Sequence, residues 1–300
     1  MKKIIFPTFN RVHEARQKLL LNELAKDFEI HVTTYGEKEL KMSEVAVDIA
    51  SKFQNALDLI KPDLALIRGD RFEMLVPAML CAYNGIPIAH IEGFDLSGLV
   101  DNKVRYAVSY LSDYHFVTNQ DSYQRAMAMG FKNVWNFGSL DCEYAMEIEG
   151  SRISKKPYLV VLWHSLPSEN GSSLLEALEA FSDEYEVVGI KGNKDYSRES
   201  TYKEEYSQEE FIKLLRGAKC LIGNSSAGIK EASVLGLPVV NIGERQANRL
   251  KPKNVKDCQC EKDKIEYAIK YQLEHGTYPL DFTYFQTGTS KKISEVIKKI

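Results

Sequence analysis

Short runs of Val, Ile and other β-favouring residues alternate with amphipathic stretches along almost the whole chain, and this alternation limits the possible folds more than any other feature. Strands are predicted at 3–6, 28–33, 64–67, 88–91 and 115–118, with helices at 14–26, 44–60, 71–83 and 102–111 between them. In the second of these helices Val45, Ile49, Phe53, Ala56, Leu57 and Ile60 fall mostly at three- to four-residue spacing, the period of one buried helical face. Strands that are apolar throughout must be covered on both faces. That requirement points to a parallel sheet with helices on each side.

The rhythm pauses at about 142–157, where Glu147, Glu149, Gly150, Ser151, Arg152, Lys155 and Lys156 make a polar stretch. It resumes with strands at 158–163, 185–190, 220–223 and 239–242 and helices at 174–182, 208–216 and 228–235. A chain of 300 residues fits two domains, and the pause places them at 1–150 and 151–300. A last helix at about 290–300 is too short to bury much alone and is expected to pack back across the domain junction.

With 44% apolar and 27% charged residues the composition excludes disordered, collagenous and coiled-coil classes. A net charge of -3 argues against a duplex-coating protein, while leaving room for a small anionic ligand held by a local positive patch. No apolar run approaches the roughly 18 residues of a membrane span. The apolar core at 4–7 is followed too soon by Arg11 and Glu14 to read as a signal peptide. Five cysteines (Cys81, Cys142, Cys220, Cys258, Cys260) are odd in number and lack framework spacing, so reduced thiols in the cytoplasm are expected. Cys258-x-Cys260 has no second Cys or His pair to complete a metal site, and no metal is expected.

Ligands of open parallel sheets bind beyond the carboxyl ends of the strands, which directs attention to the residues just after each one. Arg68-Gly69-Asp70-Arg71 follow the third strand, and His90-Ile91-Glu92-Gly93-Phe94-Asp95 end the fourth, with Asp101 and Arg105 beyond. Three carboxylates, Asp70, Glu92 and Asp101, can supply acid and base if they converge. Asp70 and Asp101 can equally cap the helices they precede, whereas Glu92 is the hardest to explain as scaffold because a buried, unpaired charge is costly. In the second half, Gly223-Asn224-Ser225-Ser226-Ala227-Gly228 run from a strand into a helix carrying Glu231. Amides at such a helix start favour phosphate, although Asn224 or Ser225 can simply cap it. Arg245 after the next strand suits a diphosphate or faces water. His164 ends a strand as ligand or core residue, Arg11 follows the first strand, and His13, His31, His115 and His275 read as structural or exposed.

Gly69-Asp70-Arg71-Phe72-Glu73, His90-Ile91-Glu92-Gly93, Ser97-Gly98, Asp101, Arg105, Gly138-Ser139, Gly223 to Ala232 and Gly236-x-Pro238 to Gln246 together resemble the hydrolysing UDP-N-acetylglucosamine 2-epimerases. The resemblance spans most of 63–255. It implies two Rossmann-like domains in a GT-B fold, with sugar chemistry in the N-terminal half and nucleotide binding in the C-terminal half. Neither NAD nor a catalytic metal is implied. The implied reaction is anti elimination of UDP to a 2-acetamidoglucal followed by hydration to N-acetylmannosamine, in a homodimer or homotetramer serving synthesis of sialic-acid-like sugars. Asp70, Glu92 and Asp101 match the essential carboxylates. Arg11, Arg71, Arg105, His164, Asn224, Ser225, Ser226, Gly228, Glu231 and Arg245 match substrate contacts, Glu231 among them at the ribose.

The chain departs from that pattern in places. It is short, mostly before Asp63, where a loop is condensed into 35–45. The usual Gly-Gly-Glu reads Gly93-Phe94-Asp95, a second Asp reads Asn102, and the proline after His164 reads Ser165. The Pro-Asn-x-Asp stretch survives only as 191–195. Phe94 and the shortened loop are expected at the sugar end, which keeps a UDP 2,4-diacetamido-trideoxyhexose or a GDP-hexosamine open as substrate. A GT-B glycosyltransferase and a non-catalytic UDP-sugar-binding relative are the other readings.

Overall fold

The computed structural model describes residues 1–9, 11–35, 42–97, 101–150, 154, 156–164, 169, 171–190 and 206–300. Gly98, Ser165 and the 191–195 stretch lie outside the described residues, as do most of the condensed 35–45 loop and the side chain of Arg11. Among the described residues no helix is long and apolar enough to cross a membrane.

The chain divides into two units, 1–143 with 284–300 and 144–283. The first contains β1 (Lys3–Thr8), α1 (Arg11–Ala15), α2 (Lys18–Leu24), β2 (Glu29–Thr34), α3 (Met42–Ile60), β3 (Leu64–Arg68), α4 (Phe72–Tyr83) and β4 (Ile88–Ile91). It continues with α5 (Asp101–Leu111), β5 (Tyr114–Val117), α6 (Gln120–Ala128), β6 (Val134–Asn136) and the start of α7 (Leu140–Glu147). Its strands form one parallel sheet in the order β2-β1-β3-β4-β5-β6.

The second unit holds β7 (Tyr158–Leu162), α8 (Gly171–Glu179), β8 (Glu186–Ile190), α9 (Gln208–Gly217) and β9 (Cys220–Gly223). After these come a 3-10 turn at Ser226–Gly228, α10 (Glu231–Val234), β10 (Val239–Ile242), β11 (Val255–Cys258) and α11 (Lys262–His275). Its parallel sheet runs β11-β10-β9-β7-β8. Both sheets therefore repeat one doubly wound plan, in which the first strand has the second on one side and the third on the other. The chain reverses direction across the sheet between β1 and β3 in one unit and between β7 and β9 in the other, and ligand crevices form at such points.

Alternation along each strand sends neighbours to opposite faces of the sheet. In the first unit Ile4, Phe6, Leu66 and Ile91 pack on one face against Leu20 and Leu24, while Ile5, Ala65 and Ile67 pack on the other against Ile49, Phe53, Leu57 and Met74. In the second, Leu159, Val161, Ile222 and Val240 bury Leu174, Leu178, Ile265 and Ile269. The final helix α12 (Thr289–Ile297) returns to the first unit, where Ile293 and Ile297 complete the core beside Leu20 and Leu24. Hydrogen bonds secure the return. Ser139 N–H donates to Tyr284 O at 2.7 Å, the Gln286 amide to Asn136 O at 2.9 Å, and Ser290 N–H to the Glu143 carboxylate at the start of α12 at 3.0 Å.

Two sequence expectations need correction here. The helix predicted at 14–26 is two helices, broken around Gln17, whose buried side chain donates to His13 O instead of lying on a continuous helical face. The helix predicted at 228–235 begins only at Glu231, after the 3-10 turn.

Candidate active site

Glu92 leaves the end of β4 with φ 64, a left-handed conformation that strains a side-chain-bearing residue by roughly 1–3 kcal/mol. Its N–H donates to Phe116 O at 2.8 Å, and its carboxylate turns toward the end of β3. There Oε1 accepts from Arg68 at 2.9 Å and from the Ser139 hydroxyl at 2.9 Å. Arg68 also contacts Asp141 at 2.7 Å, and Asp141 faces Arg16 Nε at 3.4 Å. Burial works against the Arg68 charge, but Asp141 and then Glu92 more than reverse that effect, so the guanidinium stays protonated.

Asp70 follows Gly69 at the end of β3 and accepts from Arg105, an arginine only 2% exposed. Arg105 also donates to Asp95 O and to Asn102 Oδ1. Asp70 thus lies against α5 and does not cap α4, whose N-cap is Arg71. Arg71 itself donates to both oxygens of Glu73, with its guanidinium 4.1 Å from the Phe9 ring centroid. Asp101 opens α5 one turn before Arg105, on the same helical face.

His90 explains why a glycine follows Glu92. Its Nε2 donates to Gly69 O and its Nδ1 accepts from Ser109, both at 2.9 Å, and a Cβ on residue 93 would stand 2.9 Å from Nδ1. Burial lowers the His90 pKa to about 4, so the ring is neutral and ties the β3 and β4 loops together. His13 stacks on Phe9 at 4.3 Å; burial, with Arg68, Arg16 and Arg71 adding to it, lowers its pKa to about 3.

In the second unit Asn224, fully buried, holds the chain at His164. Its Oδ1 accepts from His164 N–H and its Nδ2 donates to His164 O, each at 2.9 Å. Asn224 O in turn accepts from Arg245 and Gln246, each at 3.0 Å. Gly223 permits this approach: at φ +145, an added Cβ would stand 2.0 Å from Leu162 O. Ser225 Oγ accepts from Ala227 N–H at 3.3 Å and so caps the 3-10 turn that Ser226 begins. Gly228 lies where a Cβ would meet Val239 at 2.8 Å, and Glu231 is buried in the first turn of α10. Glu169 accepts from Glu244 N–H at 3.0 Å beside Arg245, and burial pushes its carboxyl upward.

Asp70, Glu92, Arg71 and Arg105 therefore gather around the ends of β3 and β4, with Asp101 one turn before Arg105 on α5, while His164, Asn224, Ser225, Ser226 and Arg245 gather around the ends of β7, β9 and β10. Phe94, expected at the sugar end, lies elsewhere. It is 0% exposed, packed with Val117, Ala126 and Val134 and edge-on to Phe131 and His115. Asp95 likewise turns inward and accepts from Thr118, Asn119 and Ser122. Sequence reasoning gave no role to Arg16, Arg68, Ser139, Asp141 or Glu169, and it set His13 apart. The available signal was Ser139-x-Asp141, a hydroxyl and an acid just past the end of β6. Among the described residues no group of three His, Cys, Asp or Glu side chains is arranged to hold a metal ion.

Comparison with known proteins places the chain in a family. The chain is 32% identical over 274 residues to a UDP-N-acetylglucosamine 2-epimerase of Neisseria meningitidis serogroup B, covering 80% of this chain and 72% of that protein. It is 28% identical over 284 residues to the GDP/UDP-N,N'-diacetylbacillosamine 2-epimerase (hydrolyzing) of Campylobacter jejuni, covering 80% and 73%. A crystal structure of the UDP-GlcNAc 2-epimerase from Neisseria meningitidis bound to UDP-GlcNAc superposes with a TM-score of 0.80 at 17% identity, covering 99% of this chain and 100% of that one, a likeness of GT-B fold. The family model for UDP-N-acetylglucosamine 2-epimerase matches residues 12–298, nearly the whole chain, and to that family of enzymes this chain belongs.

Proposed function

We propose that the chain is a hydrolysing 2-epimerase that converts UDP-N-acetylglucosamine, or a close UDP-sugar, to UDP and N-acetylmannosamine or its analogue. The observation that carries this reading is the pairing of Asp70 and Glu92 with separate buried arginines at adjacent strand ends, with Asp101 on the helix beside them. In the first step a carboxylate removes the proton at C2. Its electron pair forms the C1=C2 bond as the C1–O bond to the diphosphate breaks. Arg245, with Ser225 and Ser226, suits the departing charge. In the second step a carboxylic acid returns a proton to C2 on the other face, and water, deprotonated by a carboxylate, adds to C1. Both steps are redox-neutral and require no hydride acceptor. His164 and Glu231 complete the nucleotide site in this reading.

The second reading is a sugar bearing a further acetamido group at C4, favoured by the 28% identity to the diacetylbacillosamine enzyme. Phe94 no longer argues for it, being core.

The test is incubation with UDP-N-acetylglucosamine or the 2,4-diacetamido analogue in heavy water without any acceptor. Free UDP and a free sugar carrying deuterium at C2 are expected. Glu92→Gln should keep UDP affinity within several-fold and lower turnover by about a thousandfold, within the range for loss of an acid or base. UDP release only when an acceptor is added would instead mark a glycosyltransferase, and binding without deuterium uptake a non-catalytic relative.

A further inference from the structure

Building on the reading of Glu92 as an acid/base group, we propose that Asp141 is a positioning residue that sets the acidity of Glu92 by sharing the Arg68 guanidinium with it. One terminal nitrogen of Arg68 serves both acids, at 2.9 Å from Glu92 Oε1 and 2.7 Å from Asp141 Oδ2. The other terminal nitrogen donates to Arg16 O at 3.1 Å, and Arg16 Nε faces the second oxygen of Asp141. Two arginines and two carboxylates make a neutral set, and all but Arg16 are largely removed from water. In such surroundings charges act on one another strongly. Asp141 takes part of the stabilisation that Arg68 would otherwise give wholly to Glu92, which keeps Glu92 easier to protonate than a carboxylate alone with a guanidinium.

His90, His13, Arg71 and Ser139 around the quartet add little net charge to this balance. His90 beside Glu92 on β4 is neutral through burial, and so is His13 on α1. Arg71 before α4 is matched by Glu73. From the turn before α7, Ser139 adds an uncharged hydrogen bond to Glu92 Oε1 at 2.9 Å. Packing alone does not call for a second acid on one guanidinium nitrogen, since apolar residues generally fill such space with equal or greater stability.

The test is a titration of the Glu92 side-chain carboxyl by carbon-13 NMR, assigned with Glu92→Gln, in the wild type and in variants of Asp141. Asp141→Asn is isosteric, and Asp141→Ser leaves room for water; either removes the charge should the other fold poorly. In both, the Glu92 midpoint is expected to fall by roughly one pH unit, as for a carboxylate gaining sole use of a cation. Asp141→Glu should restore it, and Ser139→Ala should move it upward. The acid limb of kcat should follow the Asp141 variants downward while KM for the sugar nucleotide stays within a few-fold. An unchanged Glu92 midpoint in folded Asp141→Asn or Asp141→Ser, or an upward shift, would overturn the proposal. The titration does not depend on turnover. A shifted midpoint in a protein inactive on every sugar nucleotide would retain the coupling and reject the epimerase reading instead.

Discussion

Asn224 engages both main-chain polar groups of His164 through one side-chain amide, with the two hydrogen bonds each 2.9 Å long. The amide acts like one more rung of backbone pairing between β7 and β9, just where the sheet order reverses. Asn224→Asp replaces the donor with a charged oxygen facing His164 O, and Glu169 lies 3.5 Å from the same atom. A buried charge facing two acceptors should lower the unfolding free energy by about 3 kcal/mol, read from the urea midpoint. UDP affinity should drop at least about tenfold by calorimetry, since 1.4 kcal/mol already corresponds to that factor. Wild-type values in both measurements would show that the amide does not fix the loop.

The same junction makes Gly223 irreplaceable. Alanine would bring Cβ to within 2.0 Å of Leu162 O at a φ of +145. Since the obstruction is main chain on the neighbouring strand, neither side can yield cheaply. Gly223→Ala should cost about 3 kcal/mol or more by denaturant unfolding. A loss well below 1 kcal/mol would mean that β7 and β9 separate readily.

How much of this was legible in the sequence differs between the scaffold and the site. The apolar strands read cleanly: β4, β9 and β10 begin and end where the sequence places them, because buried Val- and Ile-rich runs bounded by polar residues leave little choice. β6 and β11 were not predicted, being short edge strands with few apolar residues. Glu92 stands out in the sequence because an acid between Ile91 and Gly93 is harder to explain as scaffold than Asp70 or Asp101, each of which precedes a helix. Asp141 was not, because an acid in the first turn of a helix ordinarily answers the helix dipole. Only the fold brings Arg68 to it from seventy-three positions earlier in the chain. Phe94 misled for the opposite reason. Its φ of 61 sends the ring away from the strand ends into the core, and an inversion of that kind leaves no mark on residue type.

The return of α12 also has a measurable consequence. Ile297 is 1% exposed among Leu20, Leu24, Phe28 and Ile4, close to the chain terminus. Ile297→Ala should destabilise the first unit by about 3 kcal/mol, the usual cost of truncating a buried isoleucine. Hydrogen exchange should speed up at the amides of α2 and β1 and stay unchanged at those of β7 and β9. Equal acceleration at all four would show that the two units open together rather than separately.

Acid should weaken the protein through His90. In the folded chain burial lowers the pKa of this ring to about 4, while in the unfolded chain it has the ordinary value of 6.5. The unfolded state therefore takes up a proton first as the pH falls. Stability associated with His90 is present above pH 6.5 and is lost as the pH drops toward about 4. The shift of about 2.5 pH units corresponds to roughly 3 kcal/mol at the acid end of that window. His13 and His115 shift in the same direction, so the wild-type slope is a sum, and a single variant must isolate one part of it. His90→Gln retains a donor toward Gly69 O but cannot protonate. It should be less stable than the wild type at pH 7.5, where the ring's packing is lost without compensation. Between pH 6.5 and 5 its unfolding free energy should fall less steeply with pH, so that the two curves converge. Parallel curves over that range in urea unfolding would show that His90 titrates alike in both states, and that its ring is not the neutral tie between the β3 and β4 loops.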